Sequence, residues 1–167
     1  TPHITAYYKN ETHKVDYNGG NYITDSIYER KYLNGKDQYA VFLNSNQATT
    51  VVNGSGTGKL LILKDSYANC FAQFTVDDYA ETHLIDMRFF KGSVQKYIKE
   101  QGITEVLVLY NIPNFVVDTG IEDVTNDAEK ASIHRYFGSL FKRHVLNPLT
   151  SILIVWLEIE VIPYSPP

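Results

Sequence analysis

Hydrophobic and polar positions follow three different rhythms along the chain. Between residues 59 and 120 short apolar runs alternate with amphipathic stretches. Leu60 to Lys64 is a near-continuous apolar run bounded by Gly58 and Asp65-Ser66, the pattern of a central strand in a parallel sheet. His83–Met87 and Glu105–Tyr110 repeat it. From Ser93 to Gln101, Val94, Tyr97 and Ile98 share one helical face and Gly102 supplies the stop. Tyr67 to Tyr79 is read as the helix and loop after the first strand. Strands alternating with helices predict an α/β domain with a parallel sheet and right-handed crossovers.

Residues 1 to 58 are rich in Tyr, Thr, Asn and Gly. Ile4 to Tyr8 and Lys14 to Tyr17 alternate like strands, and Asn18-Gly19-Gly20 signals a turn between neighbouring strands. Asp25 to Leu33 reads as a short helix and Gln38 to Leu43 as another strand. The glycine-rich Asn53 to Lys59 is not a phosphate loop. That motif needs Gly where Asn53 stands, Ser or Thr where Leu60 stands, and a helix afterwards. A flexible turn is the better reading.

Residues 121 to 167 form a separate unit of a C-terminal helix and an apolar strand, following an α/β domain over residues 1 to 120. Asn126 and Glu129 occupy capping-box positions. Ile133, Tyr136, Phe137, Leu140, Phe141 and Val145 then fall on one helical face. After Pro148, Ile152 to Leu157 is apolar, far short of the roughly 20 residues of a membrane-spanning helix, and reads as a buried strand, with an unrelated or artefactual tail as the rival reading. No transmembrane segment is expected.

Composition narrows the class. The chain has 167 residues, 44% apolar and 20% charged, ordinary for a globular protein. A net charge of −4 with no Lys/Arg cluster argues against nucleic acid as a partner. The single cysteine, Cys70, excludes an internal disulfide framework and a cysteine-rich metal site. No metal and no cofactor are expected. The chain opens at Thr1 without a start Met or signal peptide, which reads as an excised piece.

The chemistry centres on Asp65-Ser66. Ligands and nucleophiles of α/β sheets collect beyond the carboxyl ends of strands, and a serine on a strand-to-helix turn there has an exposed hydroxyl. Ser66 is therefore the candidate nucleophile, its own backbone N–H an oxyanion donor, and Asn69 or Asn111 a source of an additional amide. Arg88, at the end of the second strand, is placed to hold a substrate hydroxyl, carboxylate or phosphate, or to pair with Asp86. Asp65 is read as capping the turn, and Cys70 as a small buried side chain. A serine nucleophile also needs a base. No aspartate is followed by histidine two or three positions later. His83 is placed at a strand edge away from the site, His134 and His144 on the C-terminal helix, and His3 and His13 in the N-terminal part. None makes a convincing base.

KLLILKDSYANCFAQF, followed by HLIDMRFFKGSVQKYIKEQGITEVLVLYN, resembles the C-terminal half of bacterial DHHW-family proteins. So does the upstream stretch Asp25 to Asn46, and the resemblance covers roughly residues 4 to 118. These proteins are SGNH-hydrolase-like and similar to the alginate O-acetylation proteins of the cell envelope. The resemblance implies a three-layer α/β/α fold with a mainly parallel sheet, incomplete at its N-terminal side, and Ser66 in the nucleophile position. It implies an extracytoplasmic esterase or O-acetyltransferase acting on acylated cell-envelope polysaccharide. Lys64 stands where SGNH proteins usually carry glycine. The family's catalytic aspartate and histidine belong to an Asp-His-His-Trp segment before the serine, which this sequence lacks; its one tryptophan is Trp156. Either the chain begins after that segment, which the Thr1 start favours, or the triad is lost. In the second case the domain is a non-catalytic glycan-binding or assembly module.

Overall fold

The computed structural model describes residues 12–120 and the backbone of strand 152–158. The strand read at Ile4 to Tyr8, His3, and the helix from Asn126 with His134 and His144 lie outside the described residues.

Among the described residues, seven strands form one sheet. They are β1 (Val15–Tyr17), β2 (Tyr22–Thr24), β3 (Thr49–Asn53), β4 (Lys59–Lys64), β5 (Glu81–Asp86), β6 (Glu105–Asn111) and β7 (Ile152–Glu158). Their spatial order is β2-β1-β3-β5-β4-β6-β7. Only β4 with β5 and β4 with β6 pair in parallel. The β1–β2, β1–β3, β3–β5 and β6–β7 ladders are antiparallel. The sheet is therefore mixed and mostly antiparallel, which overturns the expected three-layer α/β/α fold with a mainly parallel sheet. The described helices are too few for two helical layers: α1 (Val94–Gln101) and α2 (Ile112–Val117), with the rest short 3-10 turns. The physical reason lies in the connections. A parallel pair needs a long crossover, whereas the tight turn after β1 closes only an antiparallel hairpin.

The parallel centre matches the apolar pattern. Leu60 and Ile62 with Leu84, Leu107 and Leu109 pack on one face against Val15, Ile27, Leu43, Ala68 and Ala72. Leu61 and Leu63 with Ile85, Val106 and Val108 pack on the other against Val94, Tyr97, Ile98 and Phe115. Helix α1 begins and ends where its sequence dictates. The Ser93 side chain accepts from the Lys96 N–H, and Gly102 closes the helix in the left-handed conformation at φ 66°. The apolar run Ile152–Glu158 is a strand.

Three local expectations need correction. Asp25 to Leu33 and Gln38 to Leu43 hold 3-10 turns, Arg30–Asn34 and Gln38–Val41, joined by a single bridge between Tyr28 and Phe42. A strand cannot continue past Leu43, because Leu43, Asn44 and Ser45 all take positive φ, between 53° and 68°. Between Tyr67 and Tyr79 the chain forms 3-10 turns Ser66–Cys70 and Ala72–Phe74, and no α-helix. There side chains take the carbonyls a helix would use: Gln73 donates to Cys70 O (2.9 Å) and Thr75 to Ala72 O (2.8 Å). Finally, Asn53 to Lys59 is a packed turn. A Cβ on Gly54 would stand 2.2 Å from the carbonyl oxygens of Val76 and Tyr79, so glycine is required for that close approach.

Candidate functional site

The carboxyl ends of β4, β5 and β6 lie side by side. Lys64 stands in register with Asp86 on β5 and Leu109 on β6. The next residues of each strand therefore share one edge of the sheet: Asp65-Ser66, Met87-Arg88, and Tyr110-Asn111.

Asp65 is fully buried, and its carboxylate organises the turn. Oδ1 accepts from the Tyr67 N–H (2.9 Å), capping the 3-10 turn. Oδ2 accepts from the Asn111 backbone N–H (3.0 Å) and from the Asn114 side-chain amide (2.7 Å). A buried carboxylate needs such donors to offset its lost hydration. The result fastens β4 to β6 and α2 directly beneath Ser66.

Ser66 opens the turn, half-buried, and its hydroxyl has no hydrogen-bond partner among the described residues. Its backbone carbonyl accepts from the Tyr39 hydroxyl (2.9 Å), which also reaches Tyr67 O (3.2 Å). Burial raises the Tyr39 phenol's pKa, with the Cys70 thiol next in effect, so the hydroxyl remains a donor across the physiological range. Cys70 is half-buried rather than buried, with Sγ 3.5 Å from Tyr67 O.

Asn69, one 3-10 turn beyond Ser66, is buried. Its amide nitrogen donates to Ser45 O (3.4 Å) and Asn46 Oδ1 (3.2 Å), while its Oδ1 has no partner among the described residues. Asn111 caps α2 at the end of β6 and meets Asp65 through its backbone N–H. Arg88 forms a two-pronged pair with Asp86, Nε to Oδ1 at 2.8 Å and Nη2 to Oδ2 at 2.6 Å. Asp86 also receives Lys64 Nζ at 3.4 Å, with both groups almost wholly buried. Burial lowers the Lys64 pKa, opposed by the Asp86 charge. Hydrogen bonding to Asp86 raises that of Arg88.

No described histidine bonds to Ser66. His83 is buried inside β5, not at a surface edge, with Nδ1 2.8 Å from Tyr97 Oη and Nε2 2.9 Å from Glu81 Oε2. It pairs with Leu61, five residues before Ser66 on β4, roughly 15 Å along the strand. Burial, the largest effect, lowers its pKa from the free value of 6.5, against the raising influence of Glu81. His13 lies on the far flank, its Nδ1 3.0 Å from Asn53 O.

Beside the edge opens a cleft of about 480 Å³, lined by residues of the β5–α1 loop and α2 that include Arg88, Phe90, Lys91, Asn114 and Asp118. Asn114 thus touches both the cleft and Asp65. Among the described residues there is no group of His, Cys, Asp and Glu that could hold a metal, and no helix is long and apolar enough to cross a membrane.

Sequence reasoning did not find Asn114, Tyr39, or the Lys64–Asp86 pair. Only Lys64 left a signal: a lysine interrupting an apolar strand that is buried on both faces requires an acidic partner on a neighbouring strand.

No family model matches the chain, and no curated protein matches it. Solved structures do. A DHHW family protein from Eubacterium siraeum is similar at 25% identity and a TM-score of 0.57, over 69% of this chain and 39% of that one. Bacillus cereus PatB1 is similar at 20% identity and a TM-score of 0.50, over 62% of this chain and 36% of its own. The same protein with a sulfonyl adduct gives 21% and 0.48, again over 62% and 36%. The PatB1 likeness concerns the fold. The chain spans about two-fifths of the DHHW protein's length.

Proposed function

We propose that this chain carries the nucleophile edge of a serine esterase or O-acyl transferase acting on acylated polysaccharide, with Ser66 as the nucleophile. One observation carries the reading. Ser66 presents a hydroxyl with no described partner on a turn fixed from three sides: by Asp65 to β6, by Asp65 to α2, and by Tyr39 to the N-terminal flank. Preorganisation of this kind is what a nucleophile at a strand's carboxyl end requires. The likeness to a DHHW family protein supports it.

In this reading the Ser66 oxygen attacks an acetyl ester, its proton passes to a base, and the sugar oxygen leaves with a proton from that base. Water or another sugar hydroxyl then takes the acetyl group. The base and its orienting carboxylate come from outside the described residues. The parent protein works in the cell envelope, outside the cytoplasm. The cleft beside Arg88 and Asn114 is where a glycan lies, and Arg88 contributes its remaining exposed donors while Asp86 holds its plane.

The test is acetyl-ester turnover by the chain beside Ser66→Ala. The expected result is background hydrolysis by both proteins. Robust Ser66-dependent turnover overturns the assignment of the base to residues outside those described. A second reading, a glycan-binding module without catalysis, is favoured by the exposed rings beside the turn, Tyr67 and Phe74 at 56% and 68% exposure. Glycan binding unchanged in Ser66→Ala, with no acylation of Ser66 by activated esters, selects it.

A further inference from the structure

Away from Ser66, the hairpin flank gathers aromatic faces and a buried carboxylate around one ammonium group. Lys31 Nζ stands 5.5 Å from the Tyr22 ring centroid and 5.1 Å from that of Tyr32. It also lies 3.3 Å from Glu29 Oε2. Two ring faces and a carboxylate around a cation is the arrangement by which proteins recognise alkylated amines.

The receptor half of this arrangement is built without Lys31. The Tyr22 hydroxyl donates to Glu29 Oε1 (2.8 Å), and the Tyr32 hydroxyl donates to Asn44 Oδ1 (2.9 Å), which sets the position of each ring. Tyr17 stacks on Tyr22 with centroids 5.6 Å apart and planes 12° from parallel. The Tyr17 ring is almost fully buried, and its hydroxyl has no partner among the described residues. Burial, above all, raises its pKa, and the Glu29 carboxylate adds to the effect. Glu29 is 8% exposed. A carboxylate buried to that extent demands a cation.

Lys31 is a poor permanent occupant. Its side chain is 57% exposed, and it swings on a flexible four-carbon stem. We propose that Tyr22, Tyr32 and Glu29, backed by Tyr17, form a binding site for an external alkylammonium group, with Lys31 a displaceable stand-in. The ligand class is an organic ammonium head group, whether a primary amine or a methylated one. A primary amine would donate to Glu29, whereas a quaternary one would rest on the ring faces. The site is independent of Ser66.

The test is a titration of the full chain with methylammonium chloride and, separately, with tetramethylammonium chloride, followed through the Tyr22 and Tyr32 ring signals by NMR. Potassium chloride at equal ionic strength is the control. We expect saturable shifts with at least one ammonium salt in the wild-type chain. Lys31→Ala should bind about tenfold tighter, because a tethered competitor acts at high effective concentration. Preference for methylammonium identifies a primary-amine site, and preference for tetramethylammonium identifies a quaternary one. Glu29→Gln in the Lys31→Ala background should abolish binding while the circular dichroism spectrum stays unchanged. Tyr22→Ala should weaken binding by removing one ring face; if that variant fails to fold, Glu29→Gln still decides. Shifts no larger than with potassium chloride overturn the proposal, and so does saturable binding by Lys31→Ala alone, since the cluster is then purely structural.

Discussion

The parallel centre of the sheet and its N-terminal flank are built on opposite principles. In β4, β5 and β6 nearly every residue is buried, and the strands are held by apolar packing on both faces. The flank, β1, β2 and the 3-10 turns that follow, buries a few side chains such as Val15, Ile27 and Leu43 and adds specific polar contacts such as Tyr22–Glu29, Tyr32–Asn44 and Asn18–Gln47. The candidate site lies where the two meet. Its carboxylate anchor, Asp65, points into the centre, and its outer clamp, Tyr39, comes from the flank.

This contrast is sharpest in the charged residues of the centre. Asp86 lies between Lys64 and Arg88. Asp86→Ala should cost about 3–5 kcal/mol in chemical denaturation, because it strands the buried Lys64 ammonium. Lys64→Met should be near neutral or stabilising, since Arg88 still satisfies Asp86. Equal losses from the two variants would show that the centre does not distinguish the pairs.

Next comes packing. Ile62→Ala, at the middle of β4, should cost about 2–5 kcal/mol. Ile23→Ala, on half-exposed β2, should stay within about 0.5 kcal/mol. Similar losses at both positions would erase the distinction between centre and flank.

The junction is tested by Tyr39→Phe. Removing one hydroxyl should lower stability by about 1 kcal/mol and speed amide exchange selectively within 66–70. Exchange that rises uniformly across the chain would deny Tyr39 its clamping role.

The smallest effect is that of pH. Burial holds His83 below the free value of 6.5 in the folded chain, so on acidification the unfolded chain takes up its proton first. The stability due to neutral His83 is complete above that value and declines as pH falls beneath it. Glu81, its pKa lowered chiefly by the Lys59 hydrogen bond, adds a further loss at more acid pH, below its free value of 4.5. His83→Gln should flatten the upper limb of this decline in thermal melts between neutrality and pH 5. An unchanged slope would place the titrating group elsewhere.

The same division explains what the sequence disclosed. Continuous apolar runs and the Ser93 and Gly102 signals identify β4, β5, β6 and α1, because burial on both faces leaves few alternatives. The flank follows contacts between residues far apart in sequence, which periodicity does not encode. The partnership of Val15–Tyr17 with Thr50–Val52 is one case, and the left-handed run at Leu43 to Ser45 is another. The candidate site divides likewise. Asp65-Ser66 is legible as the end of a buried strand. Asn114, 49 residues from Asp65, and Tyr39, 27 residues from Ser66, are brought to it only by tertiary folding. The sheet is mixed for a related reason: parallel rhythm in the centre does not constrain strands added at the edges.

Ser66 is the proposed nucleophile at the carboxyl edge of β4, and exposing the chain to an activated aryl sulfonyl fluoride, with the adduct located by peptide mass spectrometry, tests that role. A single adduct should accumulate slowly on Ser66, be absent in Ser66→Ala, and form more slowly still in Tyr39→Phe. Labelling confined to tyrosine or lysine side chains, or unchanged in Ser66→Ala, would contradict it.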